Sequence, residues 1–140
     1  MNFEKEKCVI VIDEDMPVGI IANTAAILGI TLGIKNSSVV GCDVMDADHN
    51  IHSGIIEFPV PILKSSRNLL NKLNETLNDK YFDDLTVVDF TDLAQSCKTY
   101  EEYISKMADT PTQMLNNIGI LICGNKKKVN KLTGNLPLLR

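Results

Sequence analysis

Apolar and polar positions along this chain change period from segment to segment. Residues 7–12 form a short β-branched run closed by Asp13, Glu14 and Asp15, the mark of a buried strand. Residues 17–34 then carry no charge at all. Pro17 suits a first helical turn, with Asp15 beside the positive end of the dipole. Ala22, Ala26, Gly29 and Gly33 fall on one helical face as a stripe of small residues. A helix without a polar face reads as buried on nearly every side, against a sheet and against a second helix or subunit. Residues 38–44 are a second strand candidate, followed by a polar turn at 46–50. Alternating prolines keep residues 58–63 extended and at a sheet edge. Ser65 or Ser66 caps a helix running to about Asn78, with Leu69, Leu70, Leu73 and Leu77 on one face. Residues 85–90 read as a strand, Thr91 caps a short turn, and Thr99 with Glu102 forms a capping box for the next helix. Residues 117–123 are the last buried strand. Strands alternating with helices predict an α/β domain with helices on the sheet faces.

Length and composition narrow this picture. At 140 residues the chain is one domain, 1–140, large enough to bury a core. Its net charge of −4 argues against a phosphate backbone as partner. Cys8, Cys42, Cys97 and Cys123 are widely spaced and lack zinc-site spacing, so reduced thiols in a cytoplasmic protein are expected. The uncharged segment approaches the length of a membrane span. Asn23, two threonines and three glycines within it favour a core helix of a soluble protein instead.

Candidate chemistry is sparse. The sequence has no G-x-S-x-G, P-loop, G-x-G-x-x-G or H-E-x-x-H. Asp46, Asp48, His49 and His52 read as a solvated hairpin turn before a metal site, so neither metal nor cofactor is expected. Asp13, Glu14 and Asp15, with Asp89 and Asp92, form an acidic rim at strand ends, where α/β sheets favour ligands. Capping and solvation account for most such carboxylates. Lys126, Lys127 and Lys128 read as a solvated run. Asn23 is the sharpest single residue: an amide on an apolar helix either ties down a neighbouring loop or lines a pocket with the acidic turn.

The closing segment resembles that of type II peptidyl-tRNA hydrolases, through Val129, Leu132, Thr133, Gly134, Leu136, Leu138 and Leu139. The opening segment looks like that family's first strand, turn and helix. Closer still is the domain-of-unknown-function family numbered 2000, which the notable positions Asp15, Met16, Pro17, Asn23 and Ala26 resemble, followed by Gly41, Asp46, Ala47, Asp48, Pro59 and Pro61. The resemblance runs from about Cys8 to Leu139. It implies a three-layer α/β/α fold with a mixed four- or five-stranded sheet, commonly a homodimer. The hydrolases carry G-K-x-x-x-Q on their first helix, where this chain has Gly19, Ile20 and Thr24. Their last-strand threonine falls at Gly119, and their loop aspartate matches Asp109, without the arginine.

Losing the lysine removes the obvious cation for hydrolysing a tRNA ester. The expectation is therefore an uncharacterised, non-enzymatic or small-molecule-binding protein. Its ligand would meet Asp15, Gly19, Thr24, Thr133 and Gly134 beside Asn23. The alternative is a divergent hydrolase of peptidyl-tRNA or a related ester using Asp109, Asn23 and Asp13.

Overall fold

The computed structural model describes residues 2–140. Six strands and five helices are present among them: β1 (Glu6–Asp13), α1 (Val18–Lys35), β2 (Val44–Met45), β3 (Ile51–His52), β4 (Ile62–Ser65), α2 (Arg67–Thr76), β5 (Thr86–Thr91), α3 (Asp92–Ser96), α4 (Tyr100–Ala108), β6 (Asn117–Asn125) and α5 (Lys126–Thr133). The main sheet is mixed and four-stranded, in the order β4-β1-β6-β5. β1 pairs with β4 in parallel and with β6 in antiparallel fashion, and β5 closes the other edge antiparallel to β6. The two central strands are the most buried strands of the sheet, because both of their faces are covered.

Alternation along β1 sets the layers. Cys8, Ile10 and Ile12 join the cluster packed with Leu28 and Leu32 of α1. Val9 and Val11 join Leu70 of α2 and Val129 of α5 on the other side. The result is an α/β/α domain, with α1 on one face and α2 with α5 on the other. The terminal segment flanks β4, where Lys64 N donates to Pro137 O and Leu139 N to Ile62 O, both at 2.9 Å. That pairing covers the β4 edge.

Three expectations change. First, α1 is not buried on nearly every side: only Thr24, Leu28 and Leu32 are. Val18, Ile30 and Ile34 are 70–84% exposed, and Ala22, Ala26 and Gly29 lie on the same outward side. A helix forming an outer layer seats one stripe on the sheet, so the missing charges mark an uncovered surface. By length and composition alone this helix passes as a membrane span. Second, Cys8 and Cys123, expected as reduced thiols, are joined as a disulfide because the β1–β6 register sets them directly opposite. Cys42 and Cys97 are free. Third, the strand expected over 38–44 is a single 3-10 turn at Ser37–Val39 followed by the short β2.

The β2–β3 turn forms as expected. Asp46 accepts from Asp48 N and Asn50 N, and its Oδ2 lies 2.9 Å from His52 Nε2. The His52 hydrogen bond, followed by the backbone N–H of Asn50, holds the Asp46 carboxyl below its usual range.

Candidate functional site

Of the six buried polar or charged side chains among the described residues, four gather at one end of the sheet: Asp13, Ser65, Thr91 and Asn117. The topology explains this. β1, β4 and β5 end there and β6 begins there, with Asp13 opposite Ser65 and Thr91 opposite Asn117. Ligands of open α/β sheets favour this carboxyl edge.

Hydrogen bonds account for most of the polar groups there. Asp13 Oδ1 accepts from Asp15 N at 3.0 Å, and its Oδ2 lies 3.5 Å from Arg67 Nε. Ser66 caps α2 by accepting from Leu69 N, and Thr91 caps α3 by accepting from Ala94 N. Asp92 then begins a relay of amides. Its carboxylate accepts Asn116 N at 3.2 Å and Asn116 Nδ2 at 3.1 Å. Asn116 Oδ1 accepts Asn71 Nδ2 at 3.4 Å, and Asn71 Oδ1 accepts both Asn117 N and Asn117 Nδ2, at 3.0 and 3.1 Å. The relay ends at Asn117 Oδ1, a buried acceptor without a donor among the described residues. Turning the amide over does not help, because it sets oxygen against the Asn71 oxygen and strands the nitrogen instead.

Asn117 lines a cleft of about 540 Å³ between α2 and the loop leading into β6. Asn71, Asn74 and Glu75 form the α2 wall, and Thr112 and Gln113 the loop wall. Pro111 and Leu115 add apolar surface. α2 presents Asn71 and Asn74 on one face, three residues apart, beside Leu70, which is anchored in the core.

The residues expected from sequence are dispersed. Asp13 sits at the carboxyl edge but faces Arg67, and Asp15 is an exposed turn residue. Gly19 is exposed on the first turn of α1, with open space where a Cβ would stand. Asn23 is exposed and donates to Gln95 Oε1 of α3 at 3.4 Å, so it ties down a neighbouring element. Thr24 is fully buried, its hydroxyl donating to Ile20 O at 2.7 Å. Asp109 caps the C-terminus of α4 and is exposed. Thr133 is buried and donates to Val129 O, and Gly134 ends α5. Asn23 and Thr24 on α1 are separated from Thr133 and Gly134 by the sheet itself. The expected pocket of acidic turn, Asn23 and chain end is therefore not assembled as one cavity.

Sequence reading missed Asn71, Asn74 and Asn117 as site residues. A faint signal exists: asparagine is a poor helix former, yet α2 carries three within Arg67–Thr76. An asparagine pair, Asn116-Asn117, also opens an otherwise apolar strand.

A solved structure of a protein of unknown function from Agrobacterium tumefaciens strain C58 shares this fold, with a TM-score of 0.85 at 15% identity over 96% of this chain and 97% of that one. No curated protein gives a significant match. Over residues 6–140 the chain matches the family described as protein of unknown function (DUF2000), and it belongs to that family.

Proposed function

We propose that this protein binds a small polar molecule, without catalysing its turnover, in the cleft at the carboxyl edge of the sheet. The observation that carries this is a cleft walled by the polar residues Asn71, Asn74, Thr112, Gln113 and Asn117, the last with its Oδ1 buried and without a partner among the described residues. An unmet buried acceptor costs about 1–3 kcal/mol. The lining offers both donors and acceptors, from Asn71, Asn74, Thr112 and Gln113, so a polar molecule in the cleft finds partners of either kind.

The resemblance to type II peptidyl-tRNA hydrolases supports a non-enzymatic reading. The position of the family lysine is Ile20, which packs against the core. The glutamine position is Thr24, whose hydroxyl is bonded to its own helix, and the threonine position is Gly119. The net charge of −4 also disfavours tRNA.

Fragment screening by two-dimensional NMR tests the proposal. The side-chain amide signals of Asn71, Asn74 and Asn117 are expected to shift together with one class of fragment. Shifts confined to other surfaces would refute it. Turnover of peptidyl-tRNA or a simple ester, abolished by Asp109→Asn, would install the hydrolase reading in its place.

A homodimer is a second part of the proposal, favoured by the outward face of α1. Val18, Ile30 and Ile34 stand exposed around Ala22, Ala26 and Gly29, and small residues admit a second backbone closely. Sedimentation is expected to give a dimer that Ala26→Glu converts to a folded monomer. A wild-type monomer at high concentration would refute it.

A further inference from the structure

We infer that a second binding site, for a neutral aromatic molecule, lies on the opposite face of the sheet from the Asn117 cleft, between α1, the edge strand β5 and α4. It is independent of that cleft. Tyr100, Tyr103, Ile104 and Met107 recur at helical spacing along α4, the pattern of a face that packs on a core. Yet no residue of α4 is buried. Against its first turn lies a cavity of about 410 Å³, within the size range of small-molecule sites. Ile27 and Thr31, one turn apart, form the α1 wall, and Val88 and Phe90, which alternate along β5, form another. A capping box fixes the α4 wall: Thr99 Oγ1 accepts from Glu102 N and Glu102 Oε2 from Lys98 N, both at 3.1 Å. Tyr100 and Tyr103 are thereby held against the cavity, edge to face, with ring centroids 5.5 Å apart.

The lining sorts ligands by chemistry. Three of the chain's seven aromatic side chains, Phe90, Tyr100 and Tyr103, meet in it, and Ile27 and Val88 add aliphatic surface. A ligand ring that joins the tyrosine pair gains ring–ring attraction beyond the apolar area it buries, whereas a saturated ring of the same size gains the area alone. Charge in the lining is balanced. Asp89 is its only carboxylate and Lys98 its only ammonium group, so an ionised ligand meets repulsion as well as attraction. A neutral molecule also loses less hydration on entry. Desolvation, followed by the Asp89 charge, holds the Tyr103 hydroxyl above the usual tyrosine range, so it too stays neutral.

Cys97 lines the cavity with a free thiol, which supplies the readout. Cys42, free and exposed in a separate hollow beside Val44 and Ile55, is the control for nonspecific adsorption. Alkylation of both thiols is followed by peptide mass spectrometry with naphthol, decahydronaphthol or naphthoate present, and the Thr31 methyl shift gives the affinities. Naphthol is expected to slow alkylation of Cys97 but not of Cys42, and to bind about three- to tenfold more tightly than decahydronaphthol. Naphthoate is expected to bind more weakly than naphthol. Tyr100 is 71% exposed, so Tyr100→Leu keeps the fold; it is expected to cut the preference for naphthol and leave decahydronaphthol unchanged. Equal binding of naphthol and decahydronaphthol to the wild type would overturn the aromatic assignment, and naphthoate matching naphthol the neutral one. Cys97 alkylated at one rate with every probe would overturn the site itself, and none of these results bears on the Asn117 cleft.

Discussion

Replacing Gly119 with alanine pushes a methyl group into the seam between β6 and α1. A Cβ there stands 2.6 Å from Thr24 Cγ2, 3.3 Å from Leu28 Cδ1 and 3.5 Å from Ile12 Cγ1. Carbon atoms pack at about 3.5–4.0 Å, so the Thr24 methyl must retreat by about 1 Å. It has little freedom to do so. Thr24 is fully buried and β-branched, and its hydroxyl donates to Ile20 O at 2.7 Å, so rotation breaks a hydrogen bond. Overpacking costs about 1–3 kcal/mol, against about 0.4–1 kcal/mol gained from a less flexible unfolded chain. The net loss is about 1–2 kcal/mol, or roughly 2–6 °C in Tm at this size. Urea denaturation monitored by circular dichroism measures it. Thr24→Ser removes the offending methyl and by itself costs about 1 kcal/mol. The double variant Thr24→Ser, Gly119→Ala is expected to be no less stable than Thr24→Ser alone, a coupling of about 1 kcal/mol or more. A Gly119→Ala protein as stable as wild type, or two losses that simply add, would refute the close seating of α1 on β6.

Asp13→Asn keeps an acceptor for Asp15 N but removes the charge facing Arg67. Because Arg67 is 44% exposed, the expected loss in a denaturant titration is about 1–2 kcal/mol, below that of a fully buried pair; no loss would show that the pair is immaterial. Glu102 is held below its usual range by the Lys106 hydrogen bond, then by Lys98 N, and Lys106 is raised above its own by Glu102. A depressed carboxylate stabilises above its unfolded pKa and loses that contribution as pH falls through the folded one; a raised lysine loses its contribution as pH rises through its folded value. Glu102→Gln is therefore expected to lower Tm at neutral pH and to converge on wild type as pH falls through the depressed folded value, and a pH-independent difference would contradict this. Alkylation followed by intact-mass measurement checks the Cys8–Cys123 bond: only Cys42 and Cys97 are expected to react in the unfolded, unreduced protein. Reaction of all four cysteines would show that β1 and β6 are held by their ladder alone.

Much of the scaffold was legible along the chain. The apolar runs at β1, β5 and β6 have strand length and are bounded by polar turns, and Ser66, Thr91 and Thr99 cap the helices they precede. These are local effects, in which a residue and its near neighbours settle the backbone. The uncharged character of α1 was equally plain, but its meaning was not. Hydrophobicity tells that a face avoids water and leaves open whether the sheet or another molecule covers it. The candidate site lay beyond sequence reading for a related reason. Asn71 meets Asn117 across 46 positions and Asp92 meets Asn116 across 24, so their bonds exist only once α2, β5 and β6 are packed. The sequence by itself determined β1, β5 and β6, the capped helices and an α/β class, because periodicity and caps act within a few residues. The strand expected over 38–44 did not form, and the lysine run read as solvated opens α5. Only the tertiary structure decided which face of α1 stays open and which amide oxygen is left without a donor, because burial and hydrogen-bond satisfaction depend on what distant segments bring alongside.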